Sequence, residues 1–420
     1  MAAARYASSQ RPRGADVKIR TMPRKQRNES LPTVRLKSER TFHHPLIFQK
    51  MVERPQERIV PGDLVEVVSV DGEFIGRGML NMQAPMAIRL LTEKQDEIVD
   101  AHFIAERIAT AVQLRREVYG LDAVSDSYRV IHAEGDGLSG LIVDRFGDVL
   151  VVAFYAAGMF RMQHWIFDAL LMQFPNAHIF AFGDDNGQKQ EGFECPPGKP
   201  PHGGKAVTIS EFDAKFFVQI GGKHKTGFFC DQRDNRKRWG ELIAATESTS
   251  MLDLCCNSGG FAVYAGLNGA TDITGVDLDE EAVDFATRNL RLNNIKAKVA
   301  QADIFPWLRE AQLAGRTWDA VVLDPAKMTR ARDEVVDALK KYLDMNKLAM
   351  SVVKPGGLFL TCSCTGVVSE EQFLDMLRRA AFYAGREVQI LEVRGAGPDH
   401  PWMAHVTESR YLKAVFCRVL

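Results

Sequence analysis

The sequence lacks the long apolar run that a membrane-spanning helix needs. Its longest nearly apolar stretch, residues 149–160, is followed by Arg161 and is about half of the roughly 20 residues that cross a bilayer. The amino-terminal segment has no apolar core of the kind found in secretory signals. We therefore expect no membrane association and a cytoplasmic protein. Because this segment bears Arg and Ser and few acids, an organellar transit peptide stays open as an alternative.

Cysteine is scarce as well. Seven cysteines, an odd number, are spread over 420 residues, which is unlike a disulfide framework and indicates a reducing compartment. Neither the adjacent Cys255 and Cys256 nor the Cys362-x-Cys364 pair has the usual spacing of a structural zinc site, so we expect no metal. The G-x-G-x-x-G fingerprint of dinucleotide-binding folds is missing, which argues against an NAD-dependent oxidoreductase.

The chain has almost no net charge, but its basic and acidic residues are unevenly distributed. The chain carries 53 Lys and Arg against 54 Asp and Glu, a formal charge of −1. Residues 1–40 hold 11 basic and 3 acidic side chains, so residues 41–420 hold 42 basic and 51 acidic ones. A second basic stretch, residues 215–238, has seven Lys or Arg and two Asp. Both stretches suit RNA phosphates, and the alternative is a solvated, salt-bridged surface.

Apolar patterning divides the chain into four parts. Residues 1–31 show no periodicity and are predicted to be disordered. Residues 32–112 consist of short strands and turns followed by a helix, which indicates a small β-rich domain. Residues 113–214 combine strands with a helix and predict a small α+β domain. In residues 215–420 strands alternate with helices, which predicts an α/β fold with a mainly parallel, doubly wound sheet and ligands beyond the carboxyl ends of its strands.

Four acidic residues lie at or near the ends of the strands predicted in the α/β part. Asp253 lies in the first strand, Asp277 ends the second, and Asp303 comes at the distance expected for a third. The fourth strand ends at Asp324, which opens Asp324-Pro325-Ala326-Lys327. A helix N-cap would explain any one of these acids. Four of them at successive strand ends favour a ligand site.

A glycine turn after the first strand indicates which ligand. Asp253 is followed by a short run with paired glycines, Asn257-Ser258-Gly259-Gly260-Phe261. Adjacent glycines let a ligand approach the backbone closely where a helix begins. Asp277 can accept both hydroxyls of a ribose, and Asp303 can accept an adenine amino group. The set fits S-adenosylmethionine (SAM) better than a dinucleotide.

Two cysteines lie at the end of the strand after Asp324, in Thr361-Cys362-Ser363-Cys364-Thr365-Gly366. Methylation of pyrimidine carbon 5 requires a thiolate, because that carbon is a poor nucleophile until sulfur adds to carbon 6. Asp324 is placed to stabilise the intermediate near nitrogen 3 of the ring. Strand alternation directs Cys362 and Cys364 to one side, so periodicity does not choose between them. The alternative is that both are small buried apolar residues.

The chain resembles the bacterial large-subunit ribosomal RNA cytosine-5 methyltransferase family that carries an N-terminal PUA domain. The resemblance covers about residues 32–420 and rests on several motifs: His44-Pro45-Leu46-Ile47-Phe48, residues 128–140, Asp144-Arg145-Phe146-Gly147, residues 225–236, Asp399-His400-Pro401 and Tyr411-Leu412-Lys413. It implies a PUA domain at 32–112, a linker domain at 113–214, and a Rossmann-like class I methyltransferase domain at 215–420. SAM would be the methyl donor and RNA the partner, and a homodimer is allowed.

Matching by position, the resemblance assigns the site residues. Cys364 matches the family's nucleophile, and Cys362 is the runner-up because it fits the register of other RNA cytosine methyltransferases. Asp324 and Lys327 match the catalytic D-P-P-K motif, in which Ala326 replaces the second proline and relaxes the loop. The proton-abstracting base is unassigned. The residues assigned to the cofactor are Asp253, Asn257, Ser258, Gly259, Gly260, Phe261, Asp277, Asp303, Asp324, Gln232 and Arg233.

We therefore expect a SAM-dependent enzyme that forms 5-methylcytosine in RNA through a cysteine adduct at carbon 6, with large-subunit ribosomal RNA as the substrate. Two alternatives stay open. One is methylation of a base nitrogen, which needs no cysteine. The other is a non-catalytic RNA-binding or ribosome assembly factor that kept the fold, for which the altered D-P-x-K motif is the support.

Overall fold

The computed structural model describes residues 31–40, 42–204, 206–221 and 226–420. The tail predicted to be disordered at 1–31 lies, apart from its last residue, outside the described residues. The same holds for Lys223 and Lys225 of the second basic stretch.

The first sheet contains β1 (Thr33–Arg35), β2 (Leu46–Phe48), β3 (Asp63–Val68), β4 (Phe74–Leu80) and β5 (Met86–Thr92). Its order is β1-β3-β4-β5-β2. β3 and β4 pair antiparallel around a turn in which Gly72 takes φ 88°, a left-handed conformation open to glycine. The helix α1 (Ala101–Gln113) follows, with the Asp100 side chain capping its first amides.

The second sheet explains the longest apolar run of the sequence. It contains β6 (Ser127–His132), β7 (Leu141–Phe146), β8 (Val149–Phe154) and β9 (His178–Gly183), in that order. Every residue of β8 is buried, and its side chains alternate between two cores. A strand covered on both faces is apolar throughout. The helices of this region are α2 (Ala157–Arg161), α3 (Gln163–Gln173) and α4 (Asp185–Glu191).

A two-stranded hairpin, β10 (Val207–Glu211) and β11 (Ala214–Val218), connects the second sheet to the remainder of the chain. Its Ile209 and Phe216 belong to the same core as Val149 of β8 and Trp239. The boundary predicted between residues 214 and 215 falls inside this hairpin and stays a prediction.

The third large sheet has seven strands with helices on both faces. Its strands are β12 (Ser250–Leu254), β13 (Asp272–Asp277), β14 (Ala297–Gln301), β15 (Trp318–Leu323), β16 (Val353–Ser363), β17 (Val388–Arg394) and β18 (Lys413–Val419). Its helices are α5 (Arg233–Ala245), α6 (Gly260–Leu267), α7 (Glu280–Leu292), α8 (Ile304–Leu313), α9 (Val335–Ser351) and α10 (Glu370–Ala384). Two apolar cores, one on each face, hold the layers together.

The strand order of this sheet determines where a ligand can bind. It is β14-β13-β12-β15-β16-β18-β17, parallel except for β18, which runs antiparallel to its two neighbours. After β12 the chain adds β13 and β14 on one side of that strand, and then β15 and β16 on the other side, so the topological switch point lies between β12 and β15. In open α/β sheets ligands bind at such a switch point, beyond the carboxyl ends of the strands. The predicted doubly wound α/β fold is therefore present, next to a β-rich and an α+β region.

Within the described residues, no helix combines the length and the apolar character that crossing a membrane requires.

Candidate active site

A cavity of about 560 Å³ opens beyond the carboxyl ends of β12, β13 and β15. This volume lies in the range typical of small-molecule sites, roughly 300–1,000 Å³. Its wall contains most of the residues selected from the sequence: Gln232, Asn257, Ser258, Gly260, Phe261, Asp277, Asp303, Asp324, Lys327 and Cys364. Four others, Asp253, Gly259, Cys362 and Arg233, are not part of the wall.

The glycine turn is held in shape from behind by Asp253. This side chain is 1% exposed, and its Oδ2 accepts a hydrogen bond from the amide of Ala262 in α6. Burial raises the pKa of Asp253. Gly259 takes φ 75°, and a Cβ there would lie 3.1 Å from Cβ of Ala286. Asp253 and Gly259 therefore shape the loop, whereas its neighbours line the cavity.

Two acids at the next strand ends also bind the backbone. Asp277 ends β13, and its oxygens accept hydrogen bonds from the amides of Asn257 (2.8 Å) and Asp279 (3.0 Å). Asp303 caps α8, since its Oδ1 accepts from the amide of Phe305 at 2.8 Å. The N-cap alternative thus holds for Asp303, which nevertheless lines the cavity.

Asp324 follows β15 and is bonded to Gln232. The Gln232 Nε2 donates to Oδ2 of Asp324 at 2.9 Å, and the side-chain Oε1 of Gln232 accepts a hydrogen bond from Nδ2 of Asn235. Burial, together with the charge of Asp231, raises the pKa of Asp324 to about 7. A substantial fraction of this carboxyl is therefore protonated near neutral pH and can donate a hydrogen bond.

The two cysteines predicted to lie on one side differ in exposure. β16 ends at Ser363, so alternation does not continue to Cys364. Cys362 is fully buried and packs in the core with Leu360 and Ala414. Burial raises the pKa of Cys362. Cys364 is half-buried and lines the cavity.

A buried lysine lies behind the loop that carries Cys364. Lys413 is 3% exposed, and its Nζ donates to the carbonyl oxygens of Thr365 (2.8 Å), Val368 (2.8 Å) and Tyr411 (2.9 Å). Burial lowers the pKa of Lys413 to about 8, while its interaction with Cys364 opposes that effect. A cation next to a thiol favours the thiolate.

Two further residues of the wall have no role predicted from the sequence. Asp231 and Tyr411 both line the cavity, and the Tyr411 hydroxyl donates to Oδ2 of Asp231 at 2.5 Å. Burial, followed by the charge of Asp231, raises the pKa of Tyr411, so this hydroxyl stays protonated. Each residue belongs to a motif quoted above, but 180 residues separate them in the chain.

The structure gives Arg233 and Arg236 a different role from the predicted one. Arg233, assigned to the cofactor, is fully buried and pairs with Asp399 through two N–O contacts of 3.0 and 3.1 Å. Arg236 is 4% exposed and pairs with Glu211. Arg238 pairs at the surface with Glu241 and Glu392. The salt-bridged alternative therefore holds for these three charges of the second basic stretch, which do not form a free phosphate-binding surface.

The cavity fits SAM by the chemistry of its wall. Asp277 presents a carboxylate at the end of β13, where a ribose can bind. Apolar side chains next to Asp303, namely Leu278, Ile304 and Phe305, suit an adenine ring. Asp231 and Asp324 add two acidic groups, and Cys364 a thiol, to the same wall.

Two parts of the chain match domain families. Residues 39–93 match a PUA-like domain, and residues 245–408 match a methyltransferase domain.

Among curated proteins, three similar ones share one name, ribosomal RNA large subunit methyltransferase I. That of Shewanella amazonensis is 35% identical over 382 residues, which cover 90% of this chain and 95% of the relative. That of Klebsiella pneumoniae is 34% identical over 385 residues, with 90% and 94% covered. That of Aeromonas hydrophila is 35% identical over 383 residues, with 89% and 95% covered.

Two solved structures share the fold over most of the chain. A putative SAM-dependent methyltransferase from Streptococcus mutans has a TM-score of 0.76 at 18% identity and covers 92% of this chain and 99% of its own. A putative methyltransferase complexed with SAH has a TM-score of 0.73 at 19% identity, with 86% and 92% covered. The predicted class I methyltransferase fold, which follows a PUA-like domain along the chain, is confirmed.

Proposed function

Since the chain belongs to the ribosomal RNA large subunit methyltransferase I family and is a SAM-dependent methyltransferase, we propose that it forms 5-methylcytosine in large-subunit ribosomal RNA. The observation that carries this proposal is the meeting of Cys364, Asp324 and the glycine turn at one cavity. Methylation of a base nitrogen needs no cysteine at that position. Carbon 5 needs one, because it becomes nucleophilic after a thiolate adds to carbon 6.

Cys364 is the proposed nucleophile. It is half-buried at the cavity, whereas Cys362 is fully buried in the core. The Lys413 ammonium interacts with Cys364 and favours its thiolate form. Cys362 has the opposite environment, since burial raises its pKa. These differences support Cys364 over the runner-up.

Asp324 is the proposed acid at the ring. Because its pKa is raised to about 7, the carboxyl can donate to nitrogen 3 while negative charge develops there during thiolate addition. Gln232 keeps Oδ2 of Asp324 occupied, so the other oxygen is available to the base. Lys327 lies at the same wall and would add a positive charge near the RNA.

The SAM-binding residues proposed are those of the wall between β12 and β14. Asp277 would accept the ribose hydroxyls, Asp303 the adenine amino group, and the turn around Gly260 would approach the amino acid part. When bound, SAM supplies an electrophilic methyl group. The PUA-like domain would make a second contact with RNA, through its shape and unpaired bases. A ribosomal RNA substrate implies that the protein acts in the cytoplasm.

Bisulfite sequencing of ribosomal RNA from cells with and without the protein tests the product. A single cytosine that loses protection in the deletion, and regains it on complementation, identifies both chemistry and position. We expect Cys364→Ala not to restore protection, although calorimetry still detects SAM binding, and Cys362→Ala to restore it. Activity retained by the Cys362→Ala/Cys364→Ala double variant would favour base-nitrogen methylation. Absence of SAM binding in the unaltered protein would favour a non-catalytic RNA-binding factor.

A further inference from the structure

One side-chain oxygen of the cavity wall is buried without a hydrogen-bond partner among the described residues, and it belongs to Asp231. Asp231 lies in the short 3-10 turn Cys230–Gln232 directly before α5. Its Oδ2 accepts from Tyr411, but its Oδ1 has no such contact among the described residues. A buried oxygen of this kind is costly to leave unpaired. A hydrogen of a bound substrate would supply the missing partner.

Asp231 and Asp324 form a pair of carboxyls with different surroundings. The charge of Asp231, added to burial, raises the pKa of Asp324 to about 7. Gln232, the residue after Asp231, donates to Asp324, and the Tyr411 hydroxyl donates to Asp231. Two carboxyls at one cavity, one with a raised pKa and one that accepts a hydrogen bond from a hydroxyl, are the arrangement that lets one act as acid and the other as base.

The backbone holds Asp231 in place from the opposite side. The amide of Gly397 donates to the carbonyl oxygen of Asp231 at 3.0 Å, and Asn235 fixes the neighbouring Gln232 through a 2.7 Å hydrogen bond. Asn235 also donates to the carbonyl oxygen of Gly395. The carboxylate is thus anchored by the residues on both sides of it, as a group that must meet a substrate atom requires.

We propose that the Asp231 carboxylate is the base that removes the proton from carbon 5 of the methylated cytosine. The proposal rests on the proposed function, since only carbon 5 methylation leaves such a proton to remove. Tyr411 is then a positioning residue, because its hydrogen bond holds Oδ2 and leaves Oδ1 as the oxygen without a partner.

The step starts from the adduct in which carbon 6 is bonded to Sγ of Cys364 and carbon 5 carries both hydrogen and the new methyl group. Asp231 takes the hydrogen as a proton. The electron pair of that carbon–hydrogen bond forms the carbon 5–carbon 6 double bond. The carbon 6–sulfur bond breaks, and its electron pair returns to Cys364 as the thiolate. Any proton that nitrogen 3 took from Asp324 returns to Asp324. The products are 5-methylcytosine, a free thiolate and a protonated Asp231, which passes its proton to solvent.

The variant Asp231→Asn separates this step from those before it, because an amide keeps the shape but does not accept the proton. With SAM labelled in its methyl group and large-subunit ribosomal RNA from cells lacking the protein, we expect a labelled protein–RNA adduct that survives denaturing electrophoresis. Release of 5-methylcytosine should fall by at least about 100-fold, the low end of general base catalysis. Calorimetry should detect unchanged SAM binding.

Two results overturn the role of Asp231. One is release of product by Asp231→Asn at the wild-type rate. The other is a folded variant that binds SAM but forms neither labelled adduct nor product, since Asp231 then acts before methyl transfer. If Asp231→Asn does not fold, Asp231→Ala is measured with and without formate. A labelled adduct released by formate supports the proposal, and its absence or persistence contradicts it.

Control experiments distinguish a wrong role for Asp231 from a wrong proposed function. Cys364→Ala should give no adduct at all, and wild-type product digested to nucleosides should contain 5-methylcytosine. An adduct formed by Cys364→Ala would move the nucleophile to Cys362, whereas absence of 5-methylcytosine from the wild-type product would mean that the carbon 5 chemistry is wrong whatever Asp231 does. Asp284→Asn changes an exposed acid of α7 away from the cavity and should match the wild type. Tyr411→Phe keeps the carboxylate, so it should slow release less than Asp231→Asn does.

Discussion

The ion pair between Arg233 and Asp399 should be one of the most sensitive points of the structure to substitution. Both side chains are fully buried, and they meet through two N–O contacts of 3.0 and 3.1 Å. The same carboxylate accepts from the backbone amide of Arg129 at 2.9 Å. Asp399→Ala would leave a buried guanidinium and a buried amide without this partner.

The size of the loss follows from what remains. Breaking a buried pair on one side costs about 3–5 kcal/mol, because a charge is left uncompensated. Asp234 still contacts Arg233 at 2.8 Å, but its side chain is 32% exposed, so it compensates only in part. We therefore expect the lower end of that range, about 3 kcal/mol. Arg233→Met combined with Asp399→Leu should recover much of the loss, since an apolar pair carries no desolvation penalty.

Guanidinium denaturation followed by tryptophan fluorescence measures this loss as a shift of the midpoint at unchanged slope. Asp337→Ala is the matched control, because Asp337 forms its ion pair with Lys340 at the surface and should give no measurable shift. A loss below about 1 kcal/mol for Asp399→Ala, the value typical of a surface pair, would show that burial adds nothing to the contribution of this ion pair.

The dependence on pH provides a second check. Burial opposes ionisation of Asp399, but the charges of His400 and Arg233 outweigh it and lower the pKa of Asp399. A carboxyl whose pKa is lower in the folded state contributes stability above its unfolded value, about 3.9, and loses that contribution as the pH falls below it. The difference between the wild type and Asp399→Ala should therefore be constant between about pH 6 and about pH 8 and shrink only in acid.

Two further predictions concern the cavity. If Asp324 donates a proton in the reaction, a pH–rate profile should show the rate falling as the pH rises through about 7, because Asp324 is ionised above that value. Asp324→Asn, an uncharged donor at every pH, should remove that decline, and a decline that persists in this variant would contradict the role of Asp324. In Gly260→Ala the new Cβ would lie 2.6 Å from Cδ of Arg236, which Glu211 holds in place, so the turn must shift and SAM affinity measured by calorimetry should fall by about tenfold or more, which is about 1.4 kcal/mol. The control Gly187→Ala, whose Cβ would have ordinary 3.5 Å contacts, should bind SAM as the wild type does.

Much of the fold could be predicted from the sequence because its signals are local. The apolar pattern predicts strands at residues 251–255, 273–278 and 320–324, and their ends lie within one or two residues of those of β12, β13 and β15, respectively. The spacing of Ser369, Gln372 and Gly385 also predicts a capping box and a helix end, and both are present in α10: Ser369 and Gln372 are bonded reciprocally, and Gly385 ends the helix. These features depend on residues a few positions apart, and composition is enough to indicate them.

The rest of the site depends on partners far away in the chain. Arg233 is adjacent in sequence to Gln232 of the cavity wall, but its buried partner Asp399 is 166 residues away. The choice between the two cysteines turned on β16 ending at Ser363, one residue before Cys364. Asp231 becomes notable only once Tyr411 and Asp324 are seen around it. No local pattern contains that information.

Asp399 also makes contacts across two parts of the chain. Its carboxylate binds Arg233 of α5 and the backbone of Arg129 in the second sheet, and its carbonyl oxygen accepts from Arg115 at 2.6 Å. Gly397, two residues before Asp399, holds the turn that carries Asp231. Recombination within the family is therefore constrained at this junction. A chimaera that takes residues 32–214 from a relative should work only if the loop around Asp399 comes from the same parent.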